Sequence, residues 1–184
     1  SIPWDALEAD VVIDATGRFL TRDKLALHLD SGAKRVLLTR NPKDDLDRYV
    51  IPGINESEIS LEDKIISTTS STTQVLALMI KMLDESFGLK RAMMTTVHAY
   101  TADQPLADVA GSDLRRSRSA VENIIPNTSL SPLLVEQIMP QYKGKIEGIA
   151  FNVPVPNGSC VDLTTELHNS PSVDEANEAV KKYS

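Results

Sequence analysis

The chain of 184 residues has one cysteine, Cys160, so it forms no internal disulfide and offers no cysteine-based zinc set. The alternating run around it, Ser159-Cys160-Val161-Asp162-Leu163, predicts a strand carrying a buried, inert thiol. Positive charge is also short. Nineteen Lys and Arg stand against 26 Asp and Glu, a net charge of -7, which repels phosphate backbones and excludes nucleic acid as a partner on electrostatic grounds. No apolar run approaches the roughly 20 residues of a membrane-spanning helix, so no membrane partner is expected. The opening Ser-Ile-Pro-Trp-Asp lacks the basic-then-apolar order of a signal peptide. These absences together predict a reducing, cytoplasmic compartment. The eight glycines never form G-x-G-x-x-G, the turn that cradles a dinucleotide pyrophosphate. Internal repeats and low-complexity segments are absent too.

What remains is a globular composition, 41% hydrophobic and 24% charged. Residues 10–15 form a short apolar run that predicts a strand buried in a parallel sheet, ending at Thr16-Gly17. Thr21 is placed to cap a helix through Leu25, Ala26 and Leu29 that stops at Gly32. Further strands are expected over 34–39, around 49–51 and over 64–67, an order that suggests a right-handed crossover in an α/β sheet. The strongest helix signal begins near Ser70, carries Val75, Leu76, Met79, Met82 and Leu83 at helical spacing, and closes at Gly88. A strand over 91–97 leads to His98. Residues 99–120 are polar and irregular, with Arg115, Arg116 and Arg118 clustered, and a connection of that length is usually functional or interfacial. Strands over 146–153 and 159–167 and a final helix through Ala176, Ala179 and Val180 complete the reading. The fold class is α/β. Residues 1–69 read as a parallel α/β piece, and residues 70–184 as a different sheet with helices on it. Both ends read as cut from a longer chain.

Several segments together resemble one family. They are Ala15-Thr16-Gly17-Arg18-Phe19, Gly32-Ala33-Lys34-Arg35-Val36, Gly53-Ile54-Asn55 and the run Thr95 to Gln104 bearing His98. Leu114-Arg115-Arg116-Ser117-Arg118, Asn123-Ile124-Ile125-Pro126 and Val153-Pro154-Val155-Pro156-Asn157 follow in the same order. Across essentially its whole length the chain is similar to the phosphorylating glyceraldehyde-3-phosphate dehydrogenases, with the erythrose-4-phosphate dehydrogenases as a sister group. The resemblance implies that residues 1–69 are the C-terminal part of a dinucleotide-binding parallel α/β domain and residues 70–184 an α+β catalytic-type domain, incomplete at its C-terminus; it also implies an NAD(P)-dependent aldehyde oxidoreductase of glycolysis, a homo-oligomer that is tetrameric in the family, and a phosphorylated aldehyde substrate. It implies NAD or NADP in a full-length form and none for this chain alone, because the Gly-rich turn is missing. Thr16 and Gly17 are the cofactor-cleft residues that remain. Val109-Ala110, where the family's NAD-only form has Leu-Pro, points toward NADP being tolerated.

The family's chemistry uses a thiolate nucleophile activated by a helix N-terminus and a histidine. Here its Ala-Ser-Cys-Thr-Thr-Asn reads Thr69-Ser70-Ser71-Thr72-Thr73-Gln74, so Ser71 occupies the cysteine position. A serine hydroxyl needs a general base poised against it, and His98 matches the catalytic histidine. The alternative is that Ser70, Ser71 and Thr72 only cap the helix. By the same match Ser70, Thr72, Thr101, Arg116 and Ser129 fall on substrate- and phosphate-binding positions. Asn152 stands where the family places a substrate-binding arginine, and Leu130 where it places a glycine. No metal site is expected. With Ser71 at the cysteine position the resemblance implies an impaired enzyme, whereas the three departures together, Ser71, Asn152 and Leu130, favour the alternative. The alternative is a non-catalytic paralogue acting as an assembly or regulatory subunit, and an esterase built on Ser71 and His98 is a third reading.

Overall fold

A computed structural model describes residues 2–183, which form two compact units, Ser1–Leu78 and Met79–Ser184. The first is a parallel sheet with β1 (Val11–Asp14), β2 (Arg35–Leu38), β3 (Arg48–Tyr49) and β4 (Ile65–Ser67) in the order β1-β2-β4-β3. Helix α1 (Arg22–Asp30) covers one face. Its Leu25 is fully buried against Val36, Leu38, Leu46 and Ile65. The run in β1 does not have the two-sided burial expected of it. Val12 and Asp14 point inward, while Val11 and Ile13 are 53% and 63% exposed. Four consecutive apolar-biased residues do not state whether one face of a strand is covered or both, and no helix buries the face of Val11 and Ile13 among the described residues.

Thr21 holds the extended conformation of a helix N-cap, yet its side chain makes no capping bond. The Arg22 N–H donates instead to both carboxylate oxygens of Asp44, at 2.9 and 3.1 Å. A charged acceptor brought in by the loop before β3 outcompetes a local hydroxyl. The helix ends before Gly32, whose φ of +100° suits glycine. A Cβ there would lie 2.6 Å from the Asp5 backbone nitrogen.

The second unit is a mixed sheet in the order β6-β7-β5-β8, built from β5 (Leu89–Ala99), β6 (Ile125–Thr128), β7 (Ile146–Val153) and β8 (Cys160–Leu167). Strands β5 and β7 are parallel, and the outer pairs are antiparallel. Helix α2 (Ser71–Phe87) leads into it, α3 (Ser131–Ile138) packs on β7, and α4 (Val173–Tyr183) closes the chain. Gly148 on β7 admits α3 closely, since a Cβ there would meet Pro132 Cγ and Met94 Cε at 3.0 Å. Strand β6 and helix α3 escape a sequence reading because β6 is four residues long with a proline on the sheet edge, and α3 is only eight residues. The buried stripe of α2 runs through Leu76, Ala77 and Ile80, while Val75 is 44% exposed. The helix is apolar over most of its circumference, so periodicity alone leaves its phase open.

Cys160 is exposed, against the expectation of burial. Strand β8 is the opposite edge of the sheet, and its alternation turns Cys160, Asp162, Thr164 and Glu166 outward. Among the described residues no helix is long and apolar enough to cross a membrane.

One polar contact anchors the end of α2. Asp84 accepts the Leu89 N–H and the hydroxyl of buried Tyr142, each at 2.7 Å. Burial raises the Asp84 carboxyl, but these two bonds, with Lys145 and His168 nearby, hold it below the usual carboxylate range. The same burial, reinforced by Asp84, pushes the Tyr142 phenol upward. Tyr142→Phe is expected to cost about 1.5–3 kcal/mol, the worth of a hydrogen bond to a charged group. Urea denaturation followed by circular dichroism measures this, and a loss below about 0.5 kcal/mol would show the contact to be dispensable.

Candidate functional site

Three clusters hold the residues singled out by sequence. The first is the start of α2. Ser70 Oγ accepts the Thr73 N–H at 3.2 Å and lies 2.8 Å from Thr73 Oγ1, so Ser70 is the residue that caps the helix. Ser71 follows as the first helical residue. It is exposed, and its hydroxyl has no hydrogen-bond partner among the described residues. The capping role is therefore filled without it. Thr72 is half-buried in the same turn. The residue before the cap, Thr69, is fully buried at φ +61°, and its hydroxyl has no partner among the described residues. A β-branched residue in the left-handed region carries about 1–3 kcal/mol of strain. Strain of that kind marks positions held for a purpose other than stability.

The second cluster lies at the end of β1. Asp14, 2% exposed, accepts the Thr16 N–H at 2.9 Å and the Thr16 hydroxyl at 2.8 Å. Its other oxygen lies 3.1 Å from His28 Nε2. Burial raises the Asp14 carboxyl, but the Thr16 bonds and His28 together pull it below its ordinary value. Trp4 Nε1 donates to His28 Nδ1 at 3.1 Å. An indole N–H only donates, so Nδ1 is the acceptor nitrogen, and the proton on Nε2 faces Asp14. His28 is half-buried, with both ring nitrogens engaged. Gly17 adopts φ +71°, and a Cβ there would sit 2.7 Å from the Arg40 guanidinium.

The third cluster is at the end of β5. His98 is half-buried, and its Nδ1 lies 2.7 Å from the Ala99 carbonyl. A carbonyl only accepts, so Nδ1 carries a proton, and in the neutral ring Nε2 keeps its lone pair. No carboxylate hydrogen-bonds this ring among the described residues. His98 pairs directly with Asn152 on the parallel strand β7, and Asn152 pairs with Ile125 on β6. Directly paired residues share a sheet face. Asn152 is 8% exposed and accepts from Asn127 Nδ2 at 3.3 Å. Asn127 was not among the expected site residues, and no spacing rule would have found it, because β6 itself was not expected.

The other candidates are more dispersed. Exposed Thr101 donates its N–H to Gln104 Oε1 at 2.6 Å. Ser129 Oγ accepts the Ser131 N–H at 3.2 Å at the start of α3. Arg116 lines a pocket of about 760 Å³ with Arg115, Thr128, Ile149 and Phe151. The lining also includes Asn127, which donates to Asn152. The structure thus pairs His98 with Asn152 and links Asn152, through Asn127, to the pocket that Arg116 lines.

The fold is α/β, with a parallel sheet in the first unit and a mixed sheet in the second. A sequence model described as "Glyceraldehyde 3-phosphate dehydrogenase, C-terminal domain" matches residues 70–184. The chain is 44% identical over 181 residues to a glyceraldehyde-3-phosphate dehydrogenase of Mycobacterium bovis, covering 98% of this chain and 53% of the relative. It is 44% identical to that of Streptomyces coelicolor and 43% identical to glyceraldehyde-3-phosphate dehydrogenase 2 of Bacillus subtilis, with 98% of this chain and 54% and 53% of those relatives covered. The chain belongs to the glyceraldehyde-3-phosphate dehydrogenase family. It spans about half the length of the curated relatives it matches.

Proposed function

We propose that the whole protein is an NAD(P)-dependent aldehyde oxidoreductase by descent in which turnover is lost or severely reduced, because Ser71 stands at the position of the family's catalytic cysteine. The observation that carries this reading is the division of labour at the start of α2. Ser70 caps the helix, and Ser71 is left exposed at its N-terminus with an uncommitted hydroxyl. That is a nucleophile's placement with the wrong atom in it. A helix N-terminus lowers a thiol's pKa from about 8.5 into the physiological range, whereas it leaves a hydroxyl un-ionised. His98 would be the base, and the Ala99 carbonyl gives its ring no help beyond orientation. Thr72, Thr101, Arg116 and Ser129 would bind the substrate phosphate, and Thr16 and Gly17 would border the dinucleotide. The full-length protein would take NAD or NADP, assemble as a homotetramer and reside in the cytoplasm.

A second reading is supported by Asn152 and Leu130: a paralogue retained as an assembly or regulatory subunit. The assay that separates the two is aldehyde-dependent NAD(P)H production by the full-length protein, alongside dinucleotide binding by calorimetry. Binding without turnover is the expected result. Family-like turnover would overturn the impaired reading.

A further inference from the structure

The polar groups at the end of β5 and β7 have a fixed donor and acceptor pattern. The Thr128 N–H, which only donates, lies 2.9 Å from Asn127 Oδ1 and sets that atom as an acceptor. The opposite end of the Asn127 amide is then the NH2 that faces Asn152 at 3.3 Å, so the Asn152 atom receiving it is Oδ1. This relay settles the orientation of both amides without reference to any ligand. It leaves the Asn152 NH2 as a donor with no hydrogen-bond partner among the described residues, on a side chain only 8% exposed. The directly paired His98 has its Nδ1 proton committed to the Ala99 carbonyl, which leaves Nε2 of the neutral ring as an acceptor. Paired positions on neighbouring strands are about 4.8 Å apart. One open donor and one open acceptor therefore stand side by side on one sheet face.

We infer that His98 and Asn152 form a binding site for an uncharged hydroxyl group, so that this locus takes a hydroxyl of a polyol-type substrate while any phosphate of that substrate is held elsewhere. A hydroxyl satisfies both groups at once. Its proton goes to His98 Nε2, and its oxygen accepts from the Asn152 NH2. A phosphate monoester dianion has only acceptor oxygens to offer. It would set one of them against the Nε2 lone pair, and the neutral Asn152 amide supplies no compensating charge. The inference deepens the functional reading above, since it names a substrate class for the same locus. It does not depend on turnover, because it concerns binding at His98 whether or not Ser71 can react.

The test uses the full-length protein without dinucleotide and reads the rate at which diethyl pyrocarbonate modifies each of the three histidines, by peptide mass spectrometry. His98, with a free Nε2, is expected to react faster than His28, whose two nitrogens are engaged. Saturating glycerol is expected to slow His98 about fivefold, the effect of losing an open acceptor to one neutral hydrogen bond, and to leave His168 unchanged. Methyl phosphate, present as its dianion at the same pH, is expected to slow it less than about twofold. Asn152→Asp keeps the acceptor for Asn127 and removes the donor, and it should abolish protection by glycerol. Asn152→Arg should transfer protection to methyl phosphate. Equal protection by methyl phosphate in the wild type, or none by glycerol, overturns the inference. An unchanged His168 rate in both variants shows that the second unit, which carries Asn152, is intact. Loss of dehydrogenase turnover bears only on the Ser71 reading and leaves this result standing.

Discussion

Full-length wild-type protein is expected to produce NAD(P)H from glyceraldehyde 3-phosphate at a rate on the order of 10⁴-fold or more below a family-like rate, the scale on which removal of a catalytic nucleophile acts. Ser71→Cys alone is expected to recover only part of this. The thiol would sit at the start of α2, where the exposed helix N-terminus favours its ionised form, so the covalent step would return. The substrate would still lack a charge-assisted contact at Asn152, worth about 1.5–3 kcal/mol where buried. That corresponds to about tenfold to a hundredfold in kcat/KM at about 1.4 kcal/mol per tenfold. Remote phosphate binding also holds the aldehyde over the nucleophile, so kcat should fall along with affinity. Asn152→Arg alone should do nothing measurable, because no competent nucleophile would be present. The double variant should exceed the sum of the singles, since both residues would act on one bound substrate. Steady-state kinetics of the four proteins decides the matter. Full rescue by Ser71→Cys alone would show that Asn152 and Leu130 are tolerated variation and that only the nucleophile was lost.

Asp14→Ala is expected to destabilise the first unit by about 3 kcal/mol. Three groups donate to this one buried carboxylate, and truncation strands the His28 Nε2 proton in a half-buried setting. The wild-type contact also has a definite pH dependence. The folded-state carboxyl lies below the ordinary value of 3.8. Its contribution to stability is therefore complete above about pH 4–5 and is lost as the pH falls below 3.8 toward the folded-state value. Trp4 is the only tryptophan and bonds to His28, so its fluorescence reports this unit specifically. Urea titrations at pH 7 and pH 3 should show a large wild-type advantage over Asp14→Ala at pH 7 that shrinks at pH 3. An equal difference at both would mean that the carboxylate's charge is not what stabilises the contact.

The structure bears on the two substitutions in different ways. At Asp14 it explains a residue whose importance no motif announced, because the three donors come from Thr16 and from His28, fourteen residues away on α1. At Ser71 the residue was evident from the motif, and the structure contributes the finding that Ser70 already does the capping. The irregular segment 100–124 has a comparable internal order. Asp108 accepts the Ser119 N–H at 2.8 Å and pairs with Arg118, and this burial-free contact keeps the Asp108 carboxyl low. A long connection can thus be held by its own hydrogen bonds without forming a helix or a strand.

The sequence alone determined the family, the α/β class, most strands, the long helix and the departure at Ser71, because those follow from residue identities in order and from local periodicity. Tertiary structure alone decided which side of each element is buried and which polar groups remain open. Val11, Ile13 and Cys160 face outward because they lie on sheet faces that no helix buries among the described residues, and no window of local sequence states which face is covered. Helix α3 and strand β6 are too short to show a period, and they exist through contact with β7. The open donor on Asn152 beside the open acceptor on His98 was equally out of reach. It results from strand register across residues 98, 127 and 152 and from a chain of amide bonds that starts at Thr128, and hydrogen-bond capacity is settled only when every partner is in place.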